Sequence, residues 1–138
     1  MKKKKLKYLA VYREKFPDKK ILSQPTIENY KDVLTLDFTT DILKYLELDD
    51  QLQLQFISHT TDPYSGDSIP FCIYSDGDYV WDTTLIHWIK KYRIQLPMVF
   101  LEHFSNSKNK KPQNLKYSVH ITRKMELVFL EKPHYFFK

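Results

Sequence analysis

Ile69-Pro70-Phe71-Cys72-Ile73-Tyr74-Ser75-Asp76-Gly77-Asp78-Tyr79-Val80-Trp81 is the stretch on which the fold turns. Two runs rich in aromatic and β-branched residues flank Asp76-Gly77, the pair that a two-residue type I′ turn favours because both its central residues need positive φ. That turn sets Tyr74 opposite Tyr79, Ile73 opposite Val80 and Cys72 opposite Trp81. One face then carries Cys72, Tyr74, Tyr79 and Trp81, and the other Phe71, Ile73 and Val80. Both faces are apolar, so the hairpin is expected inside a sheet with something packed on each side.

Downstream, Asp82 or Thr83 can cap a helix running to about Arg93. Leu85, Trp88, Ile89 and Tyr92 form its buried stripe, with Lys90, Lys91 and Arg93 near the end that favours cations. Leu96-Pro97 interrupts the chain, and Pro97 is placed to begin a second helix bearing Phe100, Leu101 and Phe104. Ser105 to Asn114 is polar throughout and broken by Pro112, which predicts an exposed loop. Tyr117, Val119 and Ile121 then alternate with polar residues ahead of Met125 to Leu130, which predicts a C-terminal hairpin.

Upstream, Gln51 to Ile57 alternates and reads as a strand with Leu52, Leu54 and Phe56 facing inward, followed by a loop from Ser58 to Ser68. Thr39 to Leu48 reads as a helix capped by Thr39 or Thr40, with Asp41 in its first turn and Ile42, Leu43, Tyr45 and Leu46 as its stripe. Pro25 opens a short turn through Tyr30, with Val33, Leu34 and Leu36 continuing the apolar surface. Leu6, Leu9, Tyr12 and Phe16 favour a helix over 5–16 ended by Pro17, against a weak alternation of Tyr8, Ala10 and Tyr12. The expected architecture is α+β: one domain over 1–138, a mostly antiparallel sheet of about four to five strands, and two to four helices packed on it.

A chain of 138 residues is one ordinary domain with enough interior to stand without staples. Its two glycines argue against a dinucleotide fold or a phosphate-cradling loop. A lone Cys72 offers neither an internal disulfide nor a zinc quartet and suits a reducing compartment. The lysine-rich start, residues 1–5, reads as a frayed basic terminus, because the apolar run after it is too short for a secretory signal core. These features lead us to expect a cytoplasmic protein with no membrane contact.

Charge is segregated along the chain. From Tyr45 to Ile89 there are eight carboxylates (Glu47, Asp49, Asp50, Asp62, Asp67, Asp76, Asp78 and Asp82) and no Lys or Arg. The remainder holds all 22 Lys and Arg and only nine of the 17 acids, so the stretch sums to −8 and the rest to +13, giving the net +5. A surface field of one sign steers a partner of the other.

Signals for chemistry are weak. His87 falls opposite the Leu85-Trp88 stripe and reads as solvated; His103 reads as lining the core edge, bonded to backbone. His120 points away from the Val119 face, and His59 and His134 fall in loops. Asp62, Asp67, Asp76 and Asp78 crowd oxygens together but do not spell a calcium loop, and no Cys/His ligand set occurs. Cys72 reads as a packing residue. No metal and no cofactor are expected.

The block Asp76-Gly77-x-Tyr79-x-Trp81-x3-Leu85-x-His87-Trp88-x3-Tyr92-x3-Leu96-Pro97-x2-Phe100-x2-His103 resembles an element of small bacterial proteins of unassigned function. That element is written D-G-x-Y-x-W-P-x-x-L-x-H-Y, followed by L-P-x-x-F-x-x-H. The likeness covers about a fifth of the chain, with Ile42 to Leu46 as an upstream extension. Asp82 stands where proline is common, Trp88 replaces the tyrosine, Met98-Val99 replaces an acidic pair, and an upstream cysteine pair is missing. The resemblance implies a shared fold, with Gly77, Trp81, Leu85, Trp88, Tyr92, Pro97 and Phe100 as structural positions, and a role of the immunity or antitoxin type.

These strands lead to an expected protein-binding role. The acidic middle segment engages a cationic protein partner such as a toxin, through Asp62, Tyr64, Asp67, Asp76, Asp78 and Tyr79. The alternative is a nucleic-acid-associated protein using Lys108, Lys110, Lys111, Lys116, Tyr117, Arg123 and Lys124. A third class, an enzyme, requires His87 or His103 to meet a carboxylate.

Overall fold

Tyr79, Val80, Trp81 and Asp82 are all buried, so this short strand has protein on both faces, as its two-sided apolar pattern predicts. In the computed structural model, which describes residues 6–17, 22–107 and 125–131, five strands form one mixed sheet. They are β1 (Lys7–Val11), β2 (Leu52–Thr61), β3 (Ser68–Ser75), β4 (Tyr79–Asp82) and β5 (Glu126–Phe129), in the order β2-β3-β4-β1-β5. The antiparallel meander β2-β3-β4 holds most of the strand residues, and β1 lies parallel to both β4 and β5. Three helices accompany the sheet: α1 (Leu36–Leu46), α2 (Thr83–Tyr92) and α3 (Met98–Ser107). The expected α+β single domain is therefore the observed one.

The hairpin turns one residue later than its sequence suggests. Tyr74 pairs with Trp81, Ser75 with Val80 and Ile73 with Asp82, and the Asp76 N–H reaches the Tyr79 carbonyl. Gly77 and Asp78 thus form the turn, with Gly77 at φ 100° in the Gly-first arrangement of a type II′ turn. The cause is the Asp76 side chain. Its Oδ1 accepts the N–H groups of Asp78 (3.0 Å) and Tyr79 (2.9 Å), which holds Asp76 at the strand end. Each β3 residue consequently meets a partner two places further on, so the two face sets survive unchanged. Trp81 lies flat against Tyr74 at 6.4 Å and 5°.

The helix expected over 5–16 does not form across the described residues 6–16. They give β1, then a turn at Val11 and a short 3-10 segment at Arg13–Lys15. Leu9, Ala10, Val11 and Tyr12 are all buried, and a central parallel strand covered on both faces shows no alternation to read. Val11 has φ 67°, with the Tyr12 N–H bonded to the Ala10 carbonyl at 2.8 Å. A β-branched residue there costs about 1–3 kcal/mol. The turn ends the strand, and Tyr12 packs beside Trp88 and Tyr30 with its hydroxyl on the Gln95 carbonyl.

Helix α1 starts one turn earlier than expected, because Thr35 accepts the Phe38 N–H and caps it. Thr39, proposed as that cap, is buried, and its hydroxyl donates to the Thr35 carbonyl. Ile42 and Leu46 are buried and Leu43 and Tyr45 pack beside them, as the stripe predicts. Of the Val33, Leu34, Leu36 trio only Leu34 is buried. Asp82 caps α2 through the N–H groups of Thr84 and Leu85, and Leu85, Trp88 and Ile89 are buried along it. The Pro97 carbonyl accepts the N–H groups of Phe100 and Leu101 and opens α3, whose Phe100 and Phe104 are buried.

Strand β2 runs on to Thr61, past the predicted start of a loop at Ser58. It forms an outer edge of the sheet among the described residues, and its inward reading does not hold: Leu54 and Phe56 are each 45% exposed and Ile57 is fully exposed. Phe56 instead stacks on Phe71 at 5.1 Å. β5 supplies the strand expected within Met125 to Leu130, paired parallel to β1, and α3 runs through Ser107, past the loop start expected at Ser105; Lys108 to Asn114 and Tyr117 to Thr122 lie outside the described residues. No described helix is long and apolar enough to cross a membrane.

Candidate functional site

The block that joins the hairpin to α2 and α3 brings two histidines to carboxylates. At the β3-β4 turn, Asp76 Oδ2 lies 2.7 Å from His103 Nε2 on α3 and accepts the Tyr45 hydroxyl of α1 at 2.5 Å. Asp78 Oδ2 is 3.9 Å from the same imidazole nitrogen. The His103 ring packs on Tyr79 at 4.8 Å, and Tyr79 packs on Phe100 at 5.1 Å. Burial, reinforced by the Asp76 charge, pushes the Tyr45 phenol well above its usual value, so it acts as a donor. His103 was expected on backbone. It meets a carboxylate 27 positions away instead.

The second histidine sits on the Asp62–Asp67 loop. His87 Nε2 is 3.0 Å from Asp67 Oδ2 and 3.6 Å from Asp62 Oδ2, so it is not the free solvated residue expected. Asp62 is fully buried and accepts the Trp88 indole N–H at 2.8 Å, the Tyr64 N–H at 2.8 Å and the Ser65 hydroxyl at 2.8 Å. Burial pushes its carboxyl up, but the Tyr64, Trp88 and Ser65 donors outweigh that, and the net direction is down. Lys91 donates to Asp67 at 2.7 Å. Hydrogen bonds from Lys91 first, then His87 and Ser65, hold Asp67 down at about 2.

Both acids therefore have folded values below those of the unfolded chain. Their stabilising contribution is fully present above about pH 4, where unfolded aspartates ionise, and is lost as pH falls towards 2. The melting temperature is expected to fall between pH 5 and pH 2.5, and Asp67→Asn should flatten part of that decline. Identical acid curves for the two proteins would contradict this assignment.

Of the six predicted contact residues, Asp62, Asp76 and Tyr79 are turned to internal use. Asp62 is buried, the Asp76 side chain is 5% exposed and Tyr79 is 5% exposed, so none presents a surface to a partner. Tyr64 is half-buried: its ring meets Tyr92 at 5.3 Å beneath Lys31, and its hydroxyl donates to Glu28. Asp67 and Asp78 retain partial exposure. The seven structural positions behave as packing and turn residues: Trp81, Leu85, Trp88 and Phe100 are buried, Tyr92 packs on the core, Gly77 makes the turn and Pro97 opens α3.

The sign separation of the sequence is partly undone by folding. Lys90 reaches Glu47 at 3.0 Å, Lys91 reaches Asp67, and Lys15 reaches Asp82 at 2.5 Å. Two carboxylates of the acidic stretch remain exposed and make no ion pair among the described residues. These are Asp49 and Asp50, in the turn that leads into β2. Residues that sequence reasoning missed are Tyr45, Lys15 and Gln51, each brought in by tertiary contact over more than 20 positions or by burial. No family model, no curated protein and no solved structure matches this chain, so its functional reading rests on its own geometry.

Proposed function

We propose that this chain is a protein-binding domain of the immunity or antitoxin kind, which engages an extended, cationic segment of its partner along β2. The observation that carries the reading is the outer edge that β2 forms among the described residues. Ten residues, Leu52–Thr61, contain no Asp, Glu, Lys, Arg or Pro, and Leu54, Phe56 and Ile57 are uncovered along them. Free edges of this length are normally blunted by charge, proline or a covering element. An added strand satisfies the edge's open N–H and C=O groups and gives its exposed apolar side chains a surface to meet. Asp49 and Asp50 stand at the head of the strand and select for Lys or Arg in the arriving segment. The acidic contribution is thus narrower than the whole segment from Tyr45 to Ile89.

The test uses ten-residue peptides alternating valine or threonine with lysine, and the same peptides with glutamate in place of lysine. Basic peptides are expected to bind saturably, and more weakly as salt rises. Asp49→Lys with Asp50→Lys should weaken them at least tenfold, and Phe56→Lys with Ile57→Lys should abolish binding. Ile57→Lys alone should change stability by less than about 0.5 kcal/mol, because the side chain touches solvent only. Equal binding of both peptide sets, or binding indifferent to Phe56 and Ile57, contradicts the reading.

A further inference from the structure

We infer that Asp76, Asp78 and His103 form a mononuclear site for a divalent transition-metal ion of the Zn²⁺ or Mn²⁺ type, at the junction of the β3-β4 turn and α3. The inference is independent of the β2 edge. Each residue offers one ligand atom, and the three atoms lie within 4.8 Å of one another. Ligands about 2.0–2.2 Å from a common ion sit roughly 3.0–3.5 Å apart in octahedral or tetrahedral arrangement. The observed 2.7 Å from His103 Nε2 to Asp76 Oδ2 and 3.9 Å to Asp78 Oδ2 bracket that spacing. Shifts on the order of 1 Å or less open the Asp76-His103 edge and close the Asp78 one. A plain histidine-carboxylate hydrogen bond accounts for the shorter contact and leaves the second carboxylate 3.9 Å from the same ring nitrogen.

The surroundings are those of a supported ligand set. Asp76 is oriented by the Asp78 and Tyr79 N–H groups on Oδ1 and by the Tyr45 hydroxyl on Oδ2. Such outer donors fix a carboxylate for coordination. Among the described residues, Gln51 Oε1 is the buried side-chain N or O atom with no hydrogen-bond partner. Gln51 is 3% exposed, and its side chain donates to the Tyr45 hydroxyl, which in turn donates to Asp76.

The donor set names the class of ion. One imidazole and two carboxylates without sulfur suit Zn²⁺ or Mn²⁺ rather than Cu⁺, and three ligands fall short of the six to eight oxygens that Ca²⁺ takes. Coordination uses the lone pair of His103 Nε2 in the neutral tautomer that keeps its proton on Nδ1. Remaining positions on the ion belong to water.

The untagged full chain is titrated with ZnCl₂ and with MnCl₂ by calorimetry, and the Mn²⁺ titration is repeated by NMR. One equivalent should bind in the micromolar range or tighter. Mn²⁺ should broaden the amide signals of Gly77, Asp78 and His103 before those of His59 or His87. Asp78→Asn should weaken Zn²⁺ at least tenfold with an unchanged melting temperature, and His87→Gln should leave it unaltered. Absence of saturable binding overturns the inference. So does affinity unchanged by Asp78→Asn, or broadening centred on His87 and Asp67.

Discussion

Replacing Asp82 with alanine is expected to cost about 3–5 kcal/mol, a fall in melting temperature on the order of 10 °C or more. The carboxylate is buried at the end of β4 and serves three elements. Its Oδ1 accepts the N–H groups of Thr84 and Leu85 at the start of α2, and its Oδ2 accepts Lys15 Nζ at 2.5 Å and the Tyr8 hydroxyl. Removing it uncaps the helix, which accounts for about 1 kcal/mol. The larger part comes from Lys15, whose side chain is 13% exposed and would be left with no counter-charge at that site. Burial, and then the Asp82 charge, push the Tyr8 phenol far above its usual value, so Tyr8 stays a neutral donor to this carboxylate. Asp82→Asn keeps the cap and removes the charge, and an intermediate loss is expected. Chemical denaturation of Asp82→Ala, Lys15→Met and the double variant forms a cycle whose coupling should be about 1–3 kcal/mol. Additive losses would show that the ion pair does not hold the 3-10 segment Arg13–Lys15 to the end of β4.

Trp81→Ala carries the second large penalty, about 3–5 kcal/mol. The side chain is fully buried and meets Tyr45 of α1 at 6.1 Å, Tyr74 of β3 at 6.4 Å and Phe100 of α3 at 6.0 Å. Its indole N–H donates to the Leu46 carbonyl at 2.9 Å, so one bond fastens the last turn of α1 to the sheet. Deletion opens a cavity at the meeting of two helices and the sheet, and strands a carbonyl that α1 cannot satisfy itself. Trp81→Phe fills much of the space and loses that bond, and should cost roughly half as much. If both substitutions cost under about 1 kcal/mol, the helices are not seated on Trp81 as described.

Local patterns proved legible where one element decides them. The stripe Leu85-Trp88-Ile89, the Asp82 cap and the start of α3 at Pro97 all depend on neighbours within a turn, and all appear where expected. The hairpin's faces were legible too, since the two-place slip of each pairing preserves side-chain parity. The turn itself was not. Its position depends on what the Asp76 carboxylate bonds, and Tyr45 and His103 lie 31 and 27 positions away. β1 was misread for a related reason, because burial on both faces erases alternation and leaves an apolar run that also fits a helix. At β2 the alternation was real, but nothing in Gln51 to Ile57 tells an edge strand from an interior one. The candidate contacts fared similarly. Charge counting located Asp62 and Asp76 in an acidic segment, and only tertiary structure reveals that both are consumed by Trp88, His103 and backbone donors.

The central claim, that β2 is the recognition edge, is tested most directly by amide hydrogen exchange with and without a saturating basic alternating peptide. Added protection is expected on amides within Leu52–Thr61, greatest near Phe56 and Ile57, and absent from the Phe56→Lys, Ile57→Lys variant. Protection confined to the Asp76–Asp78 turn or the Asp62–Asp67 loop, with β2 exchanging as in the free protein, would contradict it.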